Sequence, residues 1–286
     1  MKRQINVLVV AAAMACIGQA VAQTTTWTLK TPAYGGTGTI SSQRVFSALG
    51  TDGATTATIT GYANTAAGGG LEKQLQTGTD GVGIHSYSGG IGLKNADHCT
   101  SGSGCDLNEG TNPEHAFDNN ERFDFALVDF GSREVNLTHV SAGWFDTDAD
   151  ITVLAYTGSG DPTLDGSSLS SLPSGWQVIG NYAELQNRSG YTANITAQTQ
   201  PTSNPTTWIY SSLWLIGAFS PDVGGACYDV DSYGGCGAKS LDHVKFDWIK
   251  GYARTPDEGS APEPGSLALF GLALGGLLLA SRRRLA

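Results

Sequence analysis

Apolar and polar residues alternate with a period of two in the clearest stretches of the chain. Phe123, Phe125 and Leu127 are spaced by Asp124 and Ala126, and Val244, Phe246 and Trp248 by Lys245 and Asp247. That spacing puts each apolar set on one face of an extended strand. Further strand-like runs cover residues 27–29, 44–48, 56–62, 135–140, 151–156, 176–179 and 207–219, divided by turns rich in Gly, Ser, Asn and Asp. Helical periodicity is almost absent. The pattern predicts an all-β domain over residues 23–253, an antiparallel β-sandwich of jelly-roll type. Residues 63–112 interrupt it: they are glycine-rich, with few apolar residues beyond Leu71, Leu75, Val82, Ile84, Ile91 and Leu93. They read as long loops with one or two short strands over a sheet edge.

The two ends follow other rules. Lys2 and Arg3 precede an apolar run over residues 7–17 and then Ala20-Val21-Ala22. A charged start, a short apolar stretch and a small-x-small site predict a secretory signal peptide over residues 1–22, cleaved after Ala22. A lipoprotein alternative, acylated on Cys16, has Ala13 where leucine is usual. At the other end, residues 267–280 are apolar and residues 265–281 carry no charge. As a helix those seventeen residues span roughly 25 Å, close to a ~30 Å hydrocarbon core. The stretch is apolar on all sides, which favours a membrane-inserted helix over a buried amphipathic one. Arg282, Arg283 and Arg284 bias the C-terminus toward the cytoplasm. Residues 254–261 (RTPDEGSA) are polar and form the tether.

Pro262-Glu263-Pro264, the apolar helix and the three arginines, in that order, resemble the PEP-CTERM sorting signal of exopolysaccharide-producing Gram-negative bacteria. The resemblance implies recognition by an exosortase, which removes the helix near Pro262-Glu263-Pro264. The protein would enter the Sec export machinery, be anchored transiently in the inner membrane, and pass to the cell surface or extracellular matrix. A second resemblance covers residues 114–158: EHAFDNNERFDFALVDF, then GW, then DADITVLAYTG, are similar to the exosortase-dependent surface proteins. That family implies surface display and no established activity.

Charge narrows the partners. With the basic residues of the two signals and Glu263 set aside, the body keeps 11 Lys+Arg against 25 Asp+Glu, a net charge of −14. Nucleic acid is excluded as a partner, since its binders need a basic footprint. An anionic, cation-rich matrix suits such a body. Four cysteines remain after the signal: Cys99, Cys105, Cys227 and Cys236. An even count in an exported chain predicts disulfides. Three connectivities are open, of which the two local loops, Cys99–Cys105 and Cys227–Cys236, are the simplest. A single zinc site using all four is the rival, without zinc-knuckle spacing.

Asp146, Asp148 and Asp150 alternate in DTDAD, a spacing at which three carboxylates can converge on Ca²⁺ if the backbone loops. An EF-hand is excluded, because Ile151 and Thr157 stand where its glycine and glutamate are required. A looser structural Ca²⁺ site is the candidate, and no other cofactor is expected. The segment 114–124 groups Glu114, His115, Asp118, Glu121, Arg122 and Asp124, a candidate for ion or ligand contact. No G-x-S-x-G or H-E-x-x-H occurs, and residues 234–240 lack the glycines of a phosphate loop. The expectation is a non-enzymatic surface or matrix protein. A carbohydrate-binding module for exopolysaccharide is the alternative, and an aromatic row on one sheet face would favour it. A secreted hydrolase, third, would need a carboxylate pair about 5–10 Å apart in a cleft. The tryptophans are expected mostly in the core, at least four of the six.

Overall fold

The computed structural model describes residues 24–30, 39–49, 55–76, 81–99, 105–107, 115–160, 162–230, 234–237 and 241–254. The signal peptide with Ala20 and Ala22, residues 255–261 of the tether, the apolar helix, and Pro262, Glu263, Pro264, Arg282, Arg283 and Arg284 lie outside them. The described chain is nearly all β, as the alternation predicts. Its helical content is one four-residue turn, Thr196–Thr199, and four short 3-10 turns.

The strand Asp242–Ala253 is the hub. Strand Val135–Thr147 pairs with its whole length, from Asp242↔Thr147 to Ala253↔Val135. Its other edge is shared by Thr24–Thr28, Gly90–Lys94 and Phe117–Asp118, all antiparallel. A second set of strands runs in the order Trp176–Tyr182, Ile151–Tyr156, Leu213–Ala218, Asp124–Asp129, Thr56–Ala66, Gln43–Leu49. Thr24–Thr28 joins the two sets, because it pairs with Gln43–Leu49 as well as with the hub.

Both sets supply one core. Trp27, Ile59, Val128, Val140, Val153, Trp214, Phe246 and Ile249 pack in a single cluster, each at most 1% exposed. The other face of the second set is covered too, by a cluster of Tyr62, Leu71, Phe125, Leu154, Leu164, Leu169 and Leu215. Strands Ile151–Tyr156 and Leu213–Ala218 are therefore buried at every position. This explains why ITVLAY and LWLIGA are largely apolar runs rather than alternating ones. In Asp124–Asp129 the alternation is two-sided. Phe125 and Leu127 turn to the second cluster, Ala126 and Val128 to the first.

Three expectations change. Residues 63–112 hold more than the one or two short strands expected, with five among the described residues; of these Gly83–Tyr87 and Gly90–Lys94 form a hairpin, and Ile84, Ile91 and Leu93 are fully buried. The glycines that disguise it are there for close backbone approach. A Cβ on Gly92 would collide with the His115 carbonyl oxygen, and Gly90, at φ +124°, would meet the Phe246 carbonyl at 2.5 Å. The run at 207–219 becomes a strand only at Leu213–Ala218, since Pro205–Thr207 is a 3-10 turn. Only Trp27 and Trp214 among the six tryptophans are fully buried; Trp144, Trp176, Trp208 and Trp248 are half-buried.

Two disulfides close local loops, Cys99–Cys105 and Cys227–Cys236, six and nine residues apart in sequence. The Trp214 indole N–H donates to the carbonyls of Val135 and Ser211 at 3.2 and 3.1 Å, and each of those carbonyls also accepts a main-chain N–H, so removal of the indole chiefly empties the core. Trp214→Ala is expected to cost about 3–5 kcal/mol in urea unfolding; a loss under about 1 kcal/mol would contradict this core assignment.

Candidate metal centre

The strand Val135–Thr147 breaks regular register along its middle, with shifts between Leu137 and His139, Ser141 and Ala142, and Ala142 and Trp144, and pairs regularly again from Trp144 to Thr147. Such bulges add twist and re-aim the residues that come after them. Beyond them the chain folds back tightly: the Asp148 N–H donates to the Asp146 carbonyl at 2.7 Å, an i→i+2 turn. This turn separates the three aspartates that alternate in sequence. Asp148 and Asp150 point inward and are at most 1% exposed, whereas Asp146 stays at the edge, where its charge acts on His243. The place of Asp146 is taken by Asp242, the first residue of the hub strand and fully buried. Asp148, Asp150 and Asp242 each offer an oxygen within 4.8 Å of the others.

Every carboxylate is fixed from outside. Asp242 Oδ1 accepts the Asp150 N–H at 2.8 Å, and its Oδ2 accepts the Asn119 side-chain amide at 2.7 Å. Asn119 Oδ1 accepts the Asp242 N–H at 2.8 Å in return. Asp150 Oδ1 accepts the Glu184 N–H at 2.7 Å, and its Oδ2 the Gly237 N–H at 2.8 Å, next to the disulfide-bonded Cys236. Asp148 Oδ1 accepts from the Ala149 N–H at 3.0 Å and from Gln186 Nε2 at 2.6 Å. Asp148 Oδ2 is buried with no hydrogen-bond partner, and so is Gln186 Oε1. A fourth buried carboxylate, Glu184, sits in the left-handed region at φ +59° and adds its charge to the same neighbourhood.

No lysine or arginine forms an ion pair with Asp148, Asp150 or Asp242 among the described residues. Burial pushes the Asp242 carboxyl up to about 8, with the Asp150 charge adding to it. Burial likewise raises Asp150 to about 6 against the N–H donors of Glu184 and Gly237. Such a set can share protons or surround a hard cation; its donors are all oxygen.

The segment 114–124 is divided between two neighbourhoods. Asn119 belongs to the centre just described. Asp118, held far above the usual carboxylate range by burial and then by Asp106, belongs to a second acidic group. There the Asn95 amide donates to Asp106 Oδ2 at 2.5 Å and to Asp124 Oδ1 at 3.4 Å, and Arg122 ion-pairs with Asp97. Asp242, Glu184, Gln186 and Asn119 were not legible as partners of the DTDAD motif. Glu184 and Asp242 lie 34 and 92 residues from Asp150 in the chain.

On the outer face of the hub strand, Trp248, Lys250 and Tyr252 stand opposite Thr28, Thr26 and Thr24. Thr26, Thr28, Lys30, Trp248 and Lys250 line a groove of about 300 Å³. The row continues: Tyr252 lies 5.9 Å from Trp208, Trp208 lies 6.4 Å from Tyr210, and the Arg254 guanidinium stacks 4.4 Å over Tyr210.

Residues 260–284 match the family model described as the PEP-CTERM protein-sorting motif. No curated protein and no solved structure matches the chain.

With cations chelated, Asp150 and Asp242 keep protons in the folded state that the unfolded chain, with aspartate near ~3.9, has released. The folded state then binds more protons between those values, so stability is highest near pH ~4 and falls as pH rises through about 6 and about 8. Urea midpoints measured across this range in EDTA check the slope; a rising profile contradicts it.

Proposed function

We propose that this chain, a PEP-CTERM sorting-domain protein by its motif at residues 260–284, displays a non-enzymatic β-sandwich of jelly-roll type at the cell surface or in the extracellular matrix. The motif marks an exported protein handled by an exosortase at the membrane. In this reading the signal peptide feeds the Sec machinery, the apolar helix is a transient inner-membrane anchor of a Gram-negative cell, and cleavage near Pro262-Glu263-Pro264 releases the body. The proline-flanked site is suited to a protease, because each proline holds its predecessor extended and lacks a donor N–H. The non-enzymatic part of the reading is supported by the burial of Asp148, Asp150 and Asp242, of whose six carboxylate oxygens all but Asp148 Oδ2 accept from main-chain or amide donors.

The motif carries the sorting proposal, and the tail tests it. With a tag in the body, wild-type protein at the surface is expected to end near Pro262. Without the exosortase, or with Pro262→Ala and Glu263→Ala together, it should stay in the membrane fraction with residues 265–284 attached. Surface protein carrying an intact tail in both strains overturns the proposal.

A second reading, that the body binds exopolysaccharide, is favoured by the row of Trp248, Tyr252, Trp208 and Tyr210. Aromatic faces flanked by threonine hydroxyls and lysines suit sugar rings, which offer apolar faces and hydroxyl edges. Affinity electrophoresis in gels containing the producing cell's polysaccharide is expected to retard the wild type and not Trp248→Ala. Equal mobility of the two proteins counts against this reading.

A further inference from the structure

We propose that Asp148, Asp150 and Asp242, with the Gln186 side-chain carbonyl, form a Ca²⁺ site that staples distant segments of the domain together. The inference stands on the folded body alone, whatever becomes of the sorting tail.

The first argument is charge. Three carboxylates converge within 4.8 Å at no more than 1% exposure, and no lysine or arginine among the described residues pairs with them. Burying even one uncompensated carboxylate is expensive, and three together repel. The second argument is the uncommitted atoms. Asp148 Oδ2 and Gln186 Oε1 are both buried oxygens lacking a donor, although Asp148 Oδ1 and Gln186 Nε2 are bonded to each other at 2.6 Å. Two buried acceptors left open on adjoining side chains are what a cation requires and what a folded core otherwise avoids. The main-chain and amide N–H groups on Asp150 and Asp242 then play an outer role, setting each carboxylate's orientation.

The donor chemistry selects the ion. Carboxylate and amide oxygens without thiolate or imidazole favour a hard cation over zinc or copper. His243 follows Asp242 directly, and side chains alternate along a strand, so its ring faces away from Asp242; its neighbour is Asp146. Ca²⁺ accepts irregular sets of six to eight oxygens, including carbonyls, whereas Mg²⁺ demands a near-octahedral shell and retains its waters. The ligands come from the turn at 148–150, the start of the hub strand and the 3-10 turn Leu185–Asn187. Asn119, bonded to Asp242, and Gly237, bonded to Asp150, tie in the 117–124 segment and the Cys227–Cys236 loop. A bound ion would join strands far apart in sequence.

The test uses the protein as recovered from the producing cell, treated with chelator and titrated with Ca²⁺ or Mg²⁺ by calorimetry, with thermal unfolding in parallel. Expected are one Ca²⁺ per chain, a Tm that rises with Ca²⁺, and Mg²⁺ binding about tenfold weaker or more. Asp148→Asn and Asp242→Asn should each weaken Ca²⁺ binding at least about tenfold, while Asp146→Asn should leave it within about twofold. If either aspartate variant fails to fold by circular dichroism, Gln186→Ala, which removes one neutral oxygen, takes its place and is expected to weaken binding severalfold. No heat and no Tm shift for folded wild type at ~10 mM Ca²⁺ overturns the site. Asp146→Asn weakening binding as much as Asp148→Asn, or Gln186→Ala leaving it unchanged, overturns this ligand set.

Discussion

The pairing of Asp242–Ala253 with Val135–Thr147 is the contact on which the rest of the structure depends. It runs the full length of the hub strand and places Phe246 and Ile249 in the core opposite Ala142 and Val140. The opposite edge of the hub takes Thr24–Thr28, and through that strand the second set of strands is attached. Each end and face of the hub also has its own task. Its first residue, Asp242, enters the acidic centre; its outer face bears Trp248, Lys250 and Tyr252; its last residues lead to the tether and the sorting motif.

The acidic centre and the core impose opposite requirements on the same few residues. Asp150 is followed directly by Ile151, which is buried at the start of a strand packed on both faces. The backbone must therefore turn the carboxylates inward within a layer that is otherwise mostly apolar, with Thr152 and Asn181 admitted as a hydrogen-bonded pair. The Asp146–Asp148 turn, the positive φ of Glu184 and the reciprocal Asn119–Asp242 hydrogen bonds meet that requirement locally. They supply donors to most of the carboxylate oxygens, but they supply no positive charge. A cation at this point would relieve the repulsion and secure the hub at the end remote from the tail.

The export signals and the body are separable in physical terms. In the proposed reading, an apolar start and an apolar stop with arginines would act on the membrane through hydrophobicity and charge, without a partner fold. The acidic body, with its two local disulfides, suits an oxidising environment and a surface rich in counter-ions.

The sequence alone determined the properties that depend on local composition. The PEP-CTERM motif is a linear signal, and the family match falls on the residues that carry it. The all-β character followed from period-two alternation, as at Phe125 and Phe246. Short disulfide loops were the simplest pairing, and Cys99–Cys105 and Cys227–Cys236 are the pairs formed. The hairpin at 83–94 was legible only as short strands among loops, and its place in the core was missed, because glycines needed for close backbone approach look like loop residues. The membership of the acidic centre was beyond the sequence for a different reason. Asp146, Asp148 and Asp150 converge only if the backbone loops in a way that turns all three together, and here one i→i+2 hydrogen bond leaves the first of them at the edge. Asp242 replaces it across 92 residues, a juxtaposition created by strand pairing alone.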